Sequence, residues 1–253
     1  MNTSILSSTY DFRLVALSVV IAICASYAAL NLAGRVTAAR NSAKIAWLMG
    51  GAVAMGTGIW SMHYTGMLAY HLSIPVYYHI PTVIWSLLAA IVASFIALFV
   101  VSRPRINFFH VAAGSLLMAA GISSMHYLGM ASMRLTAMHH WDMTFVVLSV
   151  VIALVVALAA LGLTFLFREE GHDQVLKGVC AIIMGFAIPA MHYTAMAAVT
   201  YTPMPDAADL TNATDISVFA NVAIIVVTFV VLGSVFLIPR APAQTQEPVS
   251  SEA

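Results

Sequence analysis

Hydrophobic side chains come in long blocks along this chain, and polar ones are confined to the short gaps between them. The blocks fall at about 13 to 33, 45 to 70, 81 to 101, 108 to 133, 144 to 167, 177 to 200 and 217 to 238. Each is about 20 residues or longer, enough as a helix to cross a hydrocarbon core of about 30 Å. A membrane-spanning strand would instead alternate apolar and polar positions over about 10 residues, and the run from Phe145 to Ala160 shows no such alternation. The pattern predicts an all-α membrane protein with seven transmembrane helices over residues 13 to 238. A short segment, 1 to 12, precedes them, and a tail, 239 to 253, rich in Pro, Ala, Gln and Ser, reads as disordered.

Composition agrees. The chain is 62% hydrophobic and 8% charged, against roughly 45–50% and 25% in a soluble domain, so a water-soluble globule is excluded. Ten basic and ten acidic side chains cancel, which leaves no polyanion-binding surface and removes nucleic acid as a partner. The basic residues are sorted by side. Arg35, Arg40, Lys44, Arg103, Arg105, Arg168, Lys177 and Arg240 fall in one set of gaps, and only Arg13 and Arg134 in the other. The positive-inside rule then predicts a multi-pass protein of the cell inner membrane, with the amino terminus outside and the tail in the cytoplasm. Residues 1 to 10 lack the basic start of a cleaved signal peptide, so the first helix is expected to stay. Cys24 and Cys180 have no paired spacing and read as apolar packing.

Self-comparison reveals a repeat. Met62-His63-Tyr64, Met125-His126-Tyr127 and Met191-His192-Tyr193 each continue to a Met four residues after the histidine: Met67, Met130 and Met196. The histidines are 63 and 66 residues apart, two membrane crossings and two loops, so the three strings share one direction and depth. The string LSVVIA occurs at 17 to 22 and again at 148 to 153. The seven helices are thus three two-helix repeats plus one extra helix, with a pseudo-threefold axis along the membrane normal. Helices two, four and six are expected to line that axis and the odd-numbered ones to face lipid.

Relative to each histidine, Met also stands eight residues earlier, at Met55, Met118 and Met184, so nine of fifteen methionines lie in three columns. At 100° per residue these columns and the histidines share an arc of about 140°, and the minus-eight Met lies about 12 Å deeper, a potential second layer. Small residues at minus seven, minus five and plus three (Gly56, Gly58 and Gly66 in the first copy) permit close helix approach. Pro189 predicts a kink in the sixth helix.

Met at helical spacing is ordinarily core filler. Three buried imidazoles are not, because an ionisable group inside a membrane costs free energy unless it is satisfied. Imidazole with thioether and no nearby carboxylate is a soft to borderline ligand set that favours copper, especially Cu(I). Three His alone can hold zinc, and His/His or His/Met pairs make haem the serious competitor. Tyr64, Tyr127 and Tyr193 either donate to a bound species or cap the bundle at its outer interface. His71, His79, His139 and His140 read as solvated loop residues or as a route for metal, His110 and His172 as incidental, and Asp206, Asp209 and Asp215 as a solvated acidic loop.

The thrice-repeated string resembles the MHYT domain, a bacterial integral membrane sensor module, over residues from about 10 to 240. The resemblance implies copper held near the outer face by His63, His126 and His192 with Met62, Met67, Met125, Met130, Met191 and Met196, sensing oxygen, carbon monoxide or nitric oxide. Relatives of this kind often continue into cyclic di-GMP or kinase domains, and here the tail leaves no room for an output, so a separate cytoplasmic or membrane partner is expected. The competing reading is a copper-handling protein, a carrier or metalloenzyme assembly factor, which the deeper Met layer favours. No paired carboxylates, phosphate-binding glycine loop or nucleophile with its base supports an enzyme.

Overall fold

The computed structural model describes residues 5–105, 107–168, 174–204, 208–219, 221–222 and 225. Among these, six long apolar helices are each able to cross a membrane: α1 (Phe12–Ala38), α2 (Asn41–Ala69), α3 (Ile80–Val101), α4 (Phe108–Ala131), α5 (Met143–Phe167) and α6 (Gln174–Ala197). The seventh predicted span enters the described residues only at its start, where Phe219 packs on Trp60 and Tyr64. The rest of it, the tail, His172 and Asp206 lie outside the described residues.

The helices form a closed ring in chain order, α1 to α6 and back to α1, and the motif helices α2, α4 and α6 touch one another little. This corrects the expectation that only even-numbered helices line the axis. Ala29, Ala97 and Ala160 of α1, α3 and α5 reach the axial core, while Leu116, Leu117, Ile182, Ile183 and Phe186 of α4 and α6 are exposed toward lipid. The reason is the small-residue columns. A Cβ at Gly56 would stand 2.6 Å from Ile91 Cα of α3, and Cβ atoms at Gly58 and Gly121 would stand 2.7 Å from the Ala25 and Ala93 side chains of α1 and α3. These columns seat each motif helix between its two odd neighbours, leaving six helices to share one axis.

Helix α1 runs to Ala38 rather than ending near residue 33, and Gly34 in this added turn is a close-approach site, with the Arg168 carbonyl 3.0 Å from where its Cβ would be. The turn into α2 is two residues long, followed by Asn41 in the left-handed region (φ 53°), which Asn tolerates. Helix α6 continues through Pro189.

Seven short strands close one end, where the sequence pattern showed only loops. The segment before each odd helix pairs antiparallel with the segment after the following motif helix: β1 (Ser8–Tyr10) with β2 (Tyr70–Leu72), β3 (Tyr77–His79) with β4 (Met133–Arg134), and β5 (Ala137–Trp141) with β6 (Val199–Pro203). A seventh, β7 (Ala213–Asp215), joins β3. Asp11 and Asp142 cap α1 and α5 by accepting from Arg13 N and Thr144 N at 2.8 Å, and Asp209 and Asp215 brace their own turns in the same way. At the other end, Lys44 donates to Ser102 O at 3.1 Å and the buried Arg168 to the carbonyls of Val101, Arg103 and Pro104, so two cations cap the carboxyl end of α3. His110 completes the cap of α4 with Asn107 and is not incidental.

Two outcomes follow from the packing. Gly56→Ala forces a Cβ against the α3 backbone and is expected to lower stability by about 1–3 kcal/mol. Gly50→Ala, with open space around it, should be neutral or slightly stabilising in a thermal unfolding series in detergent. Burial, with His140 beside it, holds the His139 imidazole below the ordinary histidine value. The strand cap is thus favoured with His139 neutral, above an unfolded value of about 6.5, and loosens as pH falls below it. Fluorescence of Trp141, whose ring stacks on His139 with centroids 6.3 Å apart, should change across that range in the native protein and stay flat in His139→Gln.

Candidate metal centre

Each motif helix presents its histidine to the axis one to two turns from the strand cap, and all three side chains are fully buried. Their Nδ1 atoms converge. His63 and His192 stand 3.1 Å apart, His126 and His63 3.2 Å, and His192 and His126 3.2 Å. The rings meet edge to face, with centroids 5.0 to 5.1 Å apart.

An imidazole nitrogen is a donor or an acceptor, never both at once. Three nitrogens in mutual contact therefore cannot satisfy all three contacts by hydrogen bonding, and at least one pair must face lone pair to lone pair or proton to proton. The opposite nitrogens offer no relief, since Nε2 of His63, His126 and His192 are buried without partners. A cation at the centre resolves the conflict. An equilateral triangle of this side has its centre about 1.8 Å from each corner, just inside the roughly 2.0–2.1 Å of a metal–imidazole bond. The three histidines are also the one group of His, Cys, Asp or Glu among the described residues with ligand atoms close enough to share an ion. The donor set fits a soft or borderline metal.

The plus-three small residues serve this ring. A Cβ at Gly129 would collide with His63 Nε2, and one at Gly66 would stand 2.6 Å from His192 Nε2. Each of these imidazoles thus lies against the backbone of the next motif helix, which is a different use of glycine from the helix packing read in the sequence.

All nine column methionines are at least nine-tenths buried. Met62, Met67, Met125, Met130 and Met196 lie in one apolar cluster with Ile59 and Ile188, and Met191 in the other, with Met55, Met118 and Met184. Met55, Met118 and Met184 lie deeper and together line two adjoining axial cavities of about 30 Å³ each.

The tyrosines pack edge-on against their own histidines, with centroids 4.8 to 5.0 Å apart, but their phenols turn to serines on other helices. Tyr127 meets Ser149 at 2.7 Å and Tyr193 meets Ser18 at 2.9 Å, while Tyr64 meets Ser132 at 3.5 Å and the counterpart serine of α3, Ser86, accepts from Trp60 Nε1 at 3.1 Å. Ser18, Ser86 and Ser149 in turn donate to the carbonyls of Val15, Val83 and Val146 at 2.7 to 2.8 Å. The serine proton is committed, so the tyrosine donates. Each phenol is thus a hydrogen-bond donor to a serine.

Two residue sets escaped the sequence reading. The serines recur at intervals of 68 and 63 along α1, α3 and α5, and Ile59, Ile122 and Ile188 stand four residues before each histidine. Aligning the odd helices by the repeat spacing of the even ones exposes the first set. Counting apolar columns as well as Met columns exposes the second.

The comparisons with known proteins bear on this arrangement directly. A family described as the bacterial signalling protein N terminal repeat, MHYT, matches residues 1–46, 56–114 and 120–176. The chain belongs to the MHYT family. It is 40% identical over 197 residues to the bifunctional diguanylate cyclase/cyclic di-GMP phosphodiesterase MucR of Pseudomonas aeruginosa, an overlap of 78% of this chain and 29% of that protein. It is 37% identical to the signaling protein YkoW of Bacillus subtilis over 76% of this chain and 24% of that protein. With the cyclic di-GMP phosphodiesterase NbdA of Pseudomonas aeruginosa the figures are 35%, 75% and 24%. The chain spans about a quarter of the length of these relatives, and no solved structure matches it. An MHYT domain with six apolar spans makes this a multi-pass membrane protein of a signalling family.

The ring's fit is testable by side-chain volume. Gly129→Ala and Gly66→Ala are expected to displace an imidazole and lower thermal stability by about 1–3 kcal/mol each. Ala195→Gly, the corresponding site in the third repeat, should cost about 1 kcal/mol or less.

Proposed function

We propose that this MHYT protein is a copper-binding membrane sensor of a diatomic gas (oxygen, carbon monoxide or nitric oxide) or of redox state, acting on a separate output partner. The single observation that carries the reading is the triangle of three buried Nδ1 atoms, whose mutual contacts only a cation can satisfy.

His63, His126 and His192 would hold the ion. Met67, Met130 and Met196, one turn away on the same helices, and Met62, Met125 and Met191 beside them supply the thioethers that favour copper over zinc. Haem is less well supported. Its axial imidazoles stand on opposite faces of a macrocycle, whereas these three nitrogens touch, and the axial cavities beneath them, of about 30 Å³ each, are far too small for one. Bound copper supplies a redox change and a coordination position for a diatomic ligand.

The rest of the chain converts ring geometry into helix position. His63 presses on α4 at Gly129 and His192 on α2 at Gly66, so any change in the spread of the three nitrogens shifts the motif helices. The bonds of Tyr127 to Ser149 and of Tyr193 to Ser18 couple α4 and α6 to α5 and α1. A ligand shifts such an equilibrium only by binding the two ring geometries unequally. The relatives named for cyclic di-GMP turnover support an output of that signalling kind, made here by a partner at the basic end. The strand cap and the histidine ring would face outward across the inner membrane and the basic end the cytoplasm, in accord with the positive-inside rule. A copper-handling role is the second reading, favoured by the Met layer below the ring.

Metal analysis of the full chain in mild detergent is expected to return copper in stoichiometric amount, and His63→Ala/His126→Ala/His192→Ala to return at least tenfold less at unchanged helix content. A Soret band in the native protein, or equal copper in both, would overturn the assignment. Spectra that shift with oxygen, carbon monoxide or nitric oxide are expected of a sensor, and copper flux in sealed vesicles of a carrier. Reporter fusions after residue 38 and after residue 72 should locate to the cytoplasm and the outside respectively.

A further inference from the structure

The axial cavity below the histidine ring is lined by one methionine from each repeat, Met55, Met118 and Met184. All three are at least nine-tenths buried, and they also line the adjoining chamber on the far side. Between them and the ring lie Ile59, Ile122 and Ile188, one helical turn below the histidines and all nine-tenths or more buried. By helix register the thioethers are about 12 Å from the imidazoles along the axis, too far to share one ion with them.

Packing alone does not account for this space. Interiors close over voids, and methionine, with its flexible unbranched chain, is the residue best able to fill one. Here three methionines surround a cavity of about 30 Å³ and leave it open. Water is a poor occupant, since it needs two to four polar partners and Ser26 is the sole hydroxyl-bearing residue of the ten that line the upper chamber. Even that hydroxyl offers a water nothing, since the surface of the cavity is entirely apolar. Three thioether side chains around this apolar space form a soft donor set. No carboxylate lines the cavity, so a divalent ion would be left uncompensated in an apolar interior. A soft monovalent ion fits both facts.

We propose that Met55, Met118 and Met184 form a second ion site, for Cu(I) or another soft monovalent cation, separate from the histidine ring and independent of its occupancy. The isoleucine layer divides the two, and exchange between them requires those side chains to move aside.

Silver(I), a redox-inert monovalent probe, tests this on the full chain in chloride-free detergent buffer. The native protein is expected to bind one more equivalent than Met55→Leu/Met118→Leu/Met184→Leu, whose replacements preserve side-chain volume and so the fold. Ala160→Val, which narrows the cavity without touching a thioether, should lose the same equivalent or bind it at least tenfold more weakly. Equal stoichiometry and affinity across the three proteins would overturn the proposal. The triple His→Ala variant separates this site from the ring: it should lose the ring's equivalent and keep this one. If it keeps both, the ring assignment fails and the deeper site stands, whereas a Met→Leu protein that binds as the native one sinks the deeper site and leaves the ring intact. X-ray absorption of the Cu(I)-loaded His→Ala variant should show sulfur neighbours, and a nitrogen-dominated shell would count against the site.

Discussion

Three imidazoles cannot sit together in the middle of an apolar bundle unless something reconciles their nitrogens, and the rest of this structure is arranged around that constraint. Water cannot do it, because the ring is fully buried. The chain's own polar groups do not do it, because all three Nε2 atoms are without partners, and those of His63 and His192 lie against helix backbone where glycine has removed the Cβ. Every element near the ring therefore has a positional duty. The motif helices bring the nitrogens to one point, the odd helices hold the motif helices apart, and the paired strands close the end above them.

The tyrosine and serine relays show how that position is held. Each motif tyrosine braces its own histidine from the side and donates to a serine, and the serines of α1, α3 and α5 are pinned to carbonyls of their own helices. The pair Tyr193 and Ser18 joins the sixth helix to the first, so the ring of helices closes by the same bond that links neighbours elsewhere. In a membrane, where hydrophobic burial between helices contributes little, such hydrogen bonds and the close backbone approaches at Gly56, Gly58 and Gly121 carry the association.

The axis is layered. Below the strand cap come the histidines, then isoleucine, then methionine with alanine from the odd helices, and at the far end the buried cations Arg168 and Lys177. Polar and soft groups alternate with inert ones along it, so chemistry at the ring is insulated from the lower layers while the helices that carry both remain common to them. A sensor and a metal-handling protein would use this layering differently. The first needs the shared helices, the second the sequence of donors.

The sequence by itself determined the membrane class, the six helices within about five residues at each end, the threefold repeat and the convergence of His63, His126 and His192. All of these are periodic properties: a span length, a repeat interval and a helical angle are each read along one chain. What only the tertiary structure decided depends on which helix lies next to which. The columns of small residues were legible, but not that one set seats helices and another makes room for imidazoles. The serine partners were invisible beside the motif because they lie on other helices, 22 to 175 residues away. The strand cap was read as loops because segments of two to five residues pair from one end of a two-helix repeat to the other, where no local pattern reaches. A helix's own sequence states what it presents on each face; the angular order of six helices around an axis decides what that face meets.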